Sequence, residues 1–410
     1  MVGRSLRFIH SADWHLEQVP YGLTEVPDSL RELLIDCAYR AAQSVIDAVL
    51  SEAADFLILS GDILAPRETG VRALTFLQEQ FQRLEERRIP VYWAGGQCDR
   101  PEELAEYLAP PENVRVFPLG RVGECVYKRE GNPVARILGF SREQRESVQA
   151  ADFPPDGSGM LTIGVAHGVA DGDDLARRNF HYWALGGRHE RQNLPSALTT
   201  AHYPGTPQGR CPAEVGPHGC TLVQIDEHGQ VKTSLLTTDV LRWQTETVEI
   251  TANLSVEDFT RRLRDRAQQI LNAGSGAMQL ISWRVNGAGT LVSKLRHGTL
   301  AGEVVRDLRS QFSQRQPAAW TVDLQVEPNT IWPESWYEQE SLLGSFLRTW
   351  RRHENQPDAI PDWKRYLPEK LPANSRLSRL ELADAEQRGR VLRRAATLGV
   401  DLLSGEETRT

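Results

Sequence analysis

The sequence has few cysteines, and they are not arranged as a disulfide framework or a zinc site. The five cysteines are scattered, odd in number and form no C-x-x-C pair, which is typical of a protein in a reducing compartment. No stretch approaches the roughly 18 consecutive apolar residues that a membrane-spanning helix needs, and Met1 to Ser11 lacks the apolar core of a secretory signal. We therefore expect a cytoplasmic protein without a membrane anchor.

The chain also lacks a strong excess of either charge. It has 47 Lys and Arg residues and 55 Asp and Glu residues. The resulting net charge of -8 argues against a protein that coats nucleic acid through bulk positive charge. A phosphate substrate would therefore be held locally, most simply by metal ions. With 410 residues, 40% of them hydrophobic and 25% charged, the chain has an ordinary globular composition and is long enough for two or three domains.

The first part of the chain alternates short apolar runs with amphipathic helices. Leu6 to His10, Phe56 to Leu59 and Val91 to Trp93 are predicted strands, and the stretches between them carry apolar residues at helical spacing. From about 113 to 237 short strand signals dominate, which indicates a second sheet packed against the first. The sequence therefore predicts an α/β domain over residues 1–238, with two sheets flanked by helices.

Two further segments are expected after this domain. Residues 239–328 show a small α/β pattern of their own, and residues 329–410 are mainly helical. The stretch from Leu342 to Trp350 is amphipathic and fits equally well the core of the tail or a docking helix for a partner. Within the second segment a basic stretch contains Arg261, Arg262 and Arg264. Such a stretch is most often a solvated helix face, and a contact with the DNA backbone is the alternative.

Polar motifs follow the predicted strands at positions that would share one edge of the sheet. These motifs are Asp13-Trp14-His15, Ser60-Gly61-Asp62, Gly95-Gly96-Gln97-Cys98-Asp99, His167 and Gly186-Gly187-Arg188-His189. Carboxylates mixed with imidazoles suit Mn²⁺, Fe²⁺ or Zn²⁺ better than Mg²⁺ alone. A bridging carboxylate also suits two metals about 3.5–4 Å apart, the arrangement used in phosphate-ester hydrolysis.

The order of these motifs resembles the calcineurin-like metallophosphoesterase superfamily, whose signature reads D-x-H, G-D, G-N-H-D, H and G-H-x-H. The stretches Phe8 to Leu16, Tyr182 to Gly186 and Tyr203 to Gln208 are most similar to the SbcD-type nuclease subunit of double-strand-break repair complexes, and particularly to its YhaO-like bacterial branch. The resemblance covers residues 5 to 236 well. It implies a four-layer metallophosphoesterase β-sandwich, followed by a capping domain and a loosely similar tail.

The resemblance also implies a ligand set. Asp13, His15, Asp62 and His189 would hold one metal, most simply Mn²⁺, and Asp62 would bridge to a second metal held also by His167. The sequence departs from the family at the remaining ligands of that second site. Gln97 stands in place of Asn, Cys98 in place of the His that assists the leaving group, and Gly187 in place of a His ligand. A thiol with a reference pKa of about 8.5 is a poor general acid, so we expect one complete metal site and one weakened site.

Three functional hypotheses follow from the residues and the resemblance. The first is a metal-dependent phosphodiesterase that acts on DNA ends together with a Rad-fifty or SMC-like ATPase, docked through the C-terminal helices, with the chain as a homodimer. The second is a weakened or inactive subunit that retains one metal and binds DNA or regulates the ATPase, as the three departures suggest. The third is a phosphatase for small nucleotides or phosphoproteins, which would not need the segment after residue 240.

Overall fold

The computed structural model describes residues 5–142, 147–157, 159–195, 199–250, 254–274, 276–287, 290–327, 332, 334–355 and 385–405. The strands are β1 (Leu6–Ser11), β2 (Phe56–Leu59), β3 (Val91–Trp93), β4 (Val114–Val116), β5 (Val122–Arg129), β6 (Asn132–Phe140), β7 (Ser147–Val148), β8 (Leu161–His167), β9 (Val169–Ala170), β10 (Tyr182–Gly186), β11 (Gln192–Leu194), β12 (Thr200–Tyr203), β13 (Gly219–Ile225), β14 (Val231–Thr237), β15 (Leu241–Ile250), β16 (Met278–Gly287) and β17 (Ala319–Val326). The helices are α1 (Asp28–Ser51), α2 (Val71–Glu86), α3 (Pro101–Tyr107), α4 (Gly172–Ala176), α5 (Val256–Ala273), α6 (Thr290–His297), α7 (Leu300–Phe312), α8 (Glu334–Tyr337), α9 (Leu342–Asn355) and α10 (Ala385–Gly405).

The chain forms two compact units. The first contains Met1–Gln244, Gly274–Leu280 and Gln316–Ala318, and the second contains Thr245–Ala273, Ile281–Arg315 and Ala319–Thr410. The division at residues 238 and 328 that the sequence suggested stays a prediction. Among the described residues, no helix combines the length and the apolar character needed to cross a membrane.

Two six-stranded sheets form the centre of the first unit. One has the order β14-β13-β1-β2-β3-β4 and the other the order β11-β12-β10-β8-β6-β5. In the first sheet β1 to β4 run parallel, and in the second β12, β10, β8 and β6 run parallel. Parallel strands bring their carboxyl ends to the same edge, so the loops after these strands meet there.

The alternation of apolar side chains along β1 explains the layers of this unit. Phe8 packs between the two sheets and lies 5.6 Å, ring centre to ring centre, from Tyr182 of the second sheet. Ile9 points to the opposite face and packs with Val45 and Val49 of α1. Successive strand residues face opposite sides of a sheet, so each sheet buries both faces. The predicted α/β sandwich of two sheets flanked by helices is confirmed.

The second unit has its own apolar cores. The sheet β15-β16-β17 packs with α5 and α7 around Phe259, Leu263 and Trp283. In the tail, Leu347 and Trp350 of α9 are buried together with Ala396 and Val400 of α10. The amphipathic stretch at Leu342 to Trp350 therefore contributes to the core of the tail. Residues 356–384 and 406–410 of the predicted docking segment lie outside the described residues.

Candidate metal centre

Loops from both sheets of the first unit bring the predicted ligands together. Asp13 comes two residues after β1 and Asp62 three residues after β2, while His167 ends β8 and His189 comes three residues after β10. Asp13, His15 and His189 offer ligand atoms that all lie within 4.8 Å of one another, and Asp13, Asp62 and His167 form a second such group. Residues from four separated stretches thus converge on one place.

The backbone at the first two loops is held in an uncommon conformation. Asp13, His15 and Asp62 have φ angles of 55°, 45° and 53°, in the left-handed region that side chains other than Gly rarely adopt. The loops bond directly to each other, since Asp13 N donates to Gly61 O at 2.9 Å and His15 N donates to Asp62 O at 3.1 Å. Such strain clusters at functional sites, where the surrounding structure fixes it.

The first group leaves one ligand atom without a protein partner. His15 is 5% exposed, and its Nε2 has no hydrogen-bond partner among the described residues. This nitrogen lies 3.9 Å from Asp62 Oδ2, too far for a hydrogen bond. The other ring nitrogen, Nδ1, lies 3.3 Å from Gln18 Nε2. A buried imidazole nitrogen left open among carboxylates is what a divalent cation requires, so the residues fit a metal.

The second group has the same ligand chemistry. His167 is 4% exposed, and its Nδ1 donates to the carbonyl oxygen of Ser60 at 2.8 Å. This contact orients the ring so that Nε2 lies 3.4 Å from Asp62 Oδ2. Metal-binding histidines are commonly held in this way by a backbone carbonyl. Asp13 belongs to both groups, and Asp62 lies near the histidines of both.

Burial and charge oppose each other in this cluster. Burial alone would favour neutral groups, and it raises the pKa of Asp13. Burial also acts on Asp62, but the hydrogen bond and charge of His167 outweigh it and hold the pKa of Asp62 well below its usual value. Burial lowers the pKa of His167, but the hydrogen bond to Asp62 and the charges of Asp13 and Asp62 outweigh it and raise that pKa to about 9.

This shift predicts a pH dependence of the metal-free chain. A His whose pKa is raised on folding stabilises the fold fully below its unfolded value near 6.5, and that stabilisation is lost as the pH rises through about 9. The free energy of unfolding lost over this pH range is at most about 3 kcal/mol. Thermal unfolding in EDTA should therefore show a midpoint that falls between pH 6.5 and pH 9.5. In His167→Gln this part of the fall should disappear, and an equal fall in both proteins would contradict the assignment.

The structure also locates the three positions that depart from the family pattern. The side chain of Gln97 is exposed, and Cys98 is half-buried with its backbone N–H donating to Asp62 Oδ1 at 2.8 Å. Burial, followed by the charge of Asp62, raises the pKa of the Cys98 thiol. The thiol therefore stays protonated in the metal-free chain, which makes it a poor metal ligand and a poor acid.

The backbone conformation at position 187 favours glycine. Its φ of 96° is rarely adopted by other residues, and a Cβ there would lie 3.0 Å from Nε2 of His167. Its N–H donates to Asp13 Oδ2 at 3.0 Å. Gly187 therefore contributes a backbone contact to the site, and a side chain placed there would point at His167.

Asp99, the last residue of the third motif, holds the loops in place. It is fully buried and accepts hydrogen bonds from the backbone N–H groups of Asp62, Ile63 and Gly96 at 2.6–3.1 Å. The indole Nε1–H of Trp93 donates to the same carboxylate at 2.8 Å. This carboxylate therefore fixes the position of Asp62 and does not belong to either ligand group.

Sequence reasoning missed two residues that contact His189, Glu214 and Arg210. Glu214 Oε1 lies 2.7 Å from His189 Nδ1, and its other oxygen accepts from the backbone N–H of Arg210 at 2.6 Å. The Arg210 guanidinium is buried, lies 2.9 Å from both ring nitrogens of His189 and donates to Gln18 at 2.6 Å. Burial raises the pKa of Glu214, but His189 and Arg210 outweigh it and lower that pKa to about 2. The only sequence signal was the i,i+4 spacing of Arg210 and Glu214 just after the Tyr203 to Gln208 stretch.

Glu214→Gln is expected to weaken metal binding without removing a ligand. A carboxylate that accepts from a histidine Nδ1–H orients the ring and makes Nε2 a better ligand, and losing such a partner typically costs about 10–100-fold in metal affinity. The dissociation constant for Mn²⁺, measured by calorimetry, should rise by that amount. Glu190→Gln is the matched control on the exposed neighbour of His189 and should leave the constant unchanged. An unchanged constant in Glu214→Gln would show that the contact does not serve the metal.

The three arginines proposed for DNA lie on α5 of the second unit. Arg261 pairs with Asp258, and Arg264 pairs with Asp307 at 2.7 Å. Arg262 is exposed. Because two of the three already face carboxylates, a DNA contact through this stretch would compete with existing ion pairs, and it stays a prediction.

Comparisons with known proteins identify metallophosphoesterases and double-strand break repair proteins as relatives. No protein-family model matches the chain. Over 336 residues the chain is 28% identical to an uncharacterized metallophosphoesterase, YhaO, of Bacillus subtilis, covering 78% of this chain and 82% of that protein. Two archaeal proteins named DNA double-strand break repair protein Mre11 match more locally. The one from Methanococcus maripaludis is 31% identical and the one from Aeropyrum pernix is 28% identical, each over about a quarter of either chain.

Solved structures give weaker similarities. A phosphoesterase from E. coli, Yfce, matches at 10% identity with a TM-score of 0.27, covering 57% of this chain and 93% of its own. Vacuolar Protein Sorting 29 from Cryptosporidium parvum matches at 15% identity with a TM-score of 0.25, covering 57% of this chain and 97% of its own. Structural similarities this weak support no functional argument, so the relatives in sequence are the more informative ones.

Proposed function

We propose that this protein is a calcineurin-like metallophosphoesterase that hydrolyses phosphodiester bonds at DNA ends, with a divalent cation held by Asp13, His15, Asp62 and His189. The similarity to YhaO supports the general activity, metal-dependent hydrolysis of a phosphoester. The substrate and the ligand set are the proposal. The observation that carries the proposal is the open Nε2 of buried His15 beside Asp13 and His189, which together form a ligand group within 4.8 Å.

Mn²⁺ is the proposed cation, with Fe²⁺ and Zn²⁺ as alternatives. Two carboxylates combined with imidazoles suit Mn²⁺, Fe²⁺ and Zn²⁺. The side chain of His189 is 40% exposed, so a substrate can reach this side of the site. A cation there would polarise a phosphoryl oxygen and offset the negative charge that develops in the transition state. Contacts within the chain orient residues of both ligand groups. Gly187 N–H contacts Asp13, Glu214 contacts His189, and the carbonyl of Ser60 contacts His167 of the second group.

DNA is the proposed substrate because two relatives are named for double-strand break repair. An ATPase partner of the Rad-fifty or SMC type and a homodimer are proposed on the family resemblance. The apolar face of α9 packs on α10, so docking would use the outer side of these helices, where Leu342, Leu398 and Leu402 are 76%, 44% and 71% exposed. A cytoplasmic location is supported by the cysteines, all five of which are free.

Hydrolysis assays with Mn²⁺ test the proposal. The purified chain, alone and with its ATPase, should degrade linear duplex DNA from its ends and hydrolyse bis-p-nitrophenyl phosphate. Faster hydrolysis of free nucleotides than of DNA would favour a small-molecule phosphatase. Cleavage of neither DNA ends nor the simple diester would overturn a catalytic role.

A second candidate is a weakened or inactive subunit that retains one metal and binds DNA or regulates the ATPase. The protonated Cys98 thiol and the missing side chain at Gly187 favour it, because both positions face the second ligand group. DNA binding without hydrolysis, at one bound metal per chain, would support this candidate.

A further inference from the structure

A fully buried histidine that belongs to neither ligand group lies between the two sheets of the first unit. His10, on β1, is 0% exposed. Its Nδ1 lies 2.9 Å from the hydroxyl oxygen of Tyr182 on β10, and its Nε2 lies 2.8 Å from Oγ of Ser60. Each ring nitrogen therefore has a hydroxyl partner, one on the second sheet and one in the loop after β2.

Burial determines the state of this ring. Burial, and then the proximity of His202, hold the pKa of His10 well below its usual value. The ring is therefore neutral, and a neutral imidazole has one N–H donor and one acceptor. It donates to one hydroxyl group and accepts from the other. Removing either hydroxyl group would leave a buried ring nitrogen without a partner, so the two contacts together hold the ring in one orientation.

Ser60 connects this histidine to the second ligand group. Its side chain contacts His10, while its carbonyl oxygen accepts from Nδ1 of His167 at 2.8 Å. Its N–H donates to the carbonyl oxygen of Ser11 at 3.1 Å. The carbonyl oxygen of Ser60 also lies against the end of β10, where a Cβ on Gly186 would overlap it. Side chain, N–H and carbonyl of Ser60 are thus all engaged, which leaves the carbonyl little freedom to turn away from His167.

We propose that His10 is a positioning residue that acts on His167 through Ser60. Tyr182 holds the far side of the His10 ring, so the series of contacts runs from the second sheet to the first and back to the second. It ends at a ring whose Nε2 lies 3.4 Å from Asp62 Oδ2. Metal-binding histidines depend on such partners for their ring orientation. The purpose of this arrangement, a cation at the second ligand group, rests on the proposed function.

A second buried histidine in the same layer offers a matched control. His202 is also 0% exposed, and its Nε2 lies 2.8 Å from Oγ1 of Thr221. Thr221 is 0% exposed and lies opposite His10 in the register of β1 and β13. In the described part of the chain, the hydrogen bonds of the His202 ring go to Thr221 and Asn193 and reach neither ligand group. Removing the Thr221 hydroxyl group therefore breaks a comparable buried contact that does not lead to His167.

Proton exchange at the His167 ring tests the inference without metal or substrate. In the full chain in EDTA, with isotope-labelled histidine, the Nδ1–H that donates to Ser60 should give a slowly exchanging resonance, assigned by its absence in His167→Gln. Ser60→Ala and Tyr182→Phe should each raise the exchange rate by about 10-fold, the effect of one lost buried hydrogen bond. Thr221→Val should leave the rate unchanged.

Three results would overturn the positioning role: no protected resonance in the parent, an unchanged rate in either variant, or an equal rise in Thr221→Val. Circular dichroism identifies variants that have lost their fold, and if one of the two does not fold, the other decides.

Mn²⁺ binding and diester hydrolysis by the same variants separate this inference from the proposed function. The dissociation constant for Mn²⁺ should rise by about 10-fold in Ser60→Ala, because the orientation of one ligand is lost. Faster exchange with an unchanged constant would keep the positioning role and reject His167 as a metal ligand. Hydrolysis by the parent, together with unchanged exchange in Ser60→Ala, would reject the positioning role and keep the nuclease.

Discussion

Asp62→Asn is expected to remove metal binding and phosphodiester hydrolysis together. Asp62 Oδ2 lies 3.9 Å from His15 Nε2 and 3.4 Å from His167 Nε2, so this one carboxylate faces histidines of both ligand groups. Asn keeps the shape and can still accept the hydrogen bond from Cys98 N–H, but it lacks the negative charge. Loss of an outer contact alone typically costs about 10–100-fold in metal affinity, and loss of a ligand itself should cost about 100-fold or more.

Elemental analysis after Mn²⁺ loading and hydrolysis of bis-p-nitrophenyl phosphate would measure both effects. Asp36→Asn is the matched control, because Asp36 is an exposed carboxylate on α1 that pairs with Arg72 at 2.6 Å. It should keep the metal content and the rate of the parent. Full metal content in Asp62→Asn would mean that the ion is held elsewhere and would remove the basis of the proposed centre.

Gln97→Asn combined with Cys98→His is expected to produce the largest gain. The pair would return an amide of the family length and an imidazole to the loop whose backbone already contacts Asp62. Bound metal should rise from one to two ions per chain, and hydrolysis should increase by about 10–100-fold if the second cation had been limiting. Cys98→Ser is the control, since it removes the thiol without adding an imidazole.

Adding Gly187→His to that pair should be costly. The φ of 96° is rarely adopted by a side-chain-bearing residue, and a Cβ there would meet His167 Nε2 at 3.0 Å. We expect the triple variant to be less stable than the double variant by about 1–3 kcal/mol. Metal counts and thermal unfolding of the two variants would show this. Two bound metals with no gain in hydrolysis would contradict the view that only the second site limits an otherwise competent enzyme.

The strand and helix pattern of the first unit was largely predictable, because it depends on local periodicity. Phe56–Leu59 and Val91–Trp93 are strands with the predicted bounds, and the helix after the first loop spans Asp28–Ser51. Strands with weak or exposed patterns were missed, among them β5, which pairs with β6 across a register shift, and β14 at a sheet edge. Half-exposed edge strands bury little apolar surface, so their sequences carry little signal.

The strand pattern was enough to predict which loops lie at the same edge of each sheet, because the carboxyl ends of parallel strands lie together. That rule places Asp13, His15 and Asp62 at an edge of the first sheet and His167 and His189 at an edge of the second. The expectation that these residues form one ligand set came from the family resemblance. The atoms that face one another became known only from the folded structure, which places Asp13 in both ligand groups and Glu214 against His189. Apart from Asp13 and His15, these groups join residues 25 or more positions apart through side-chain packing, which leaves no periodic or local trace in the chain.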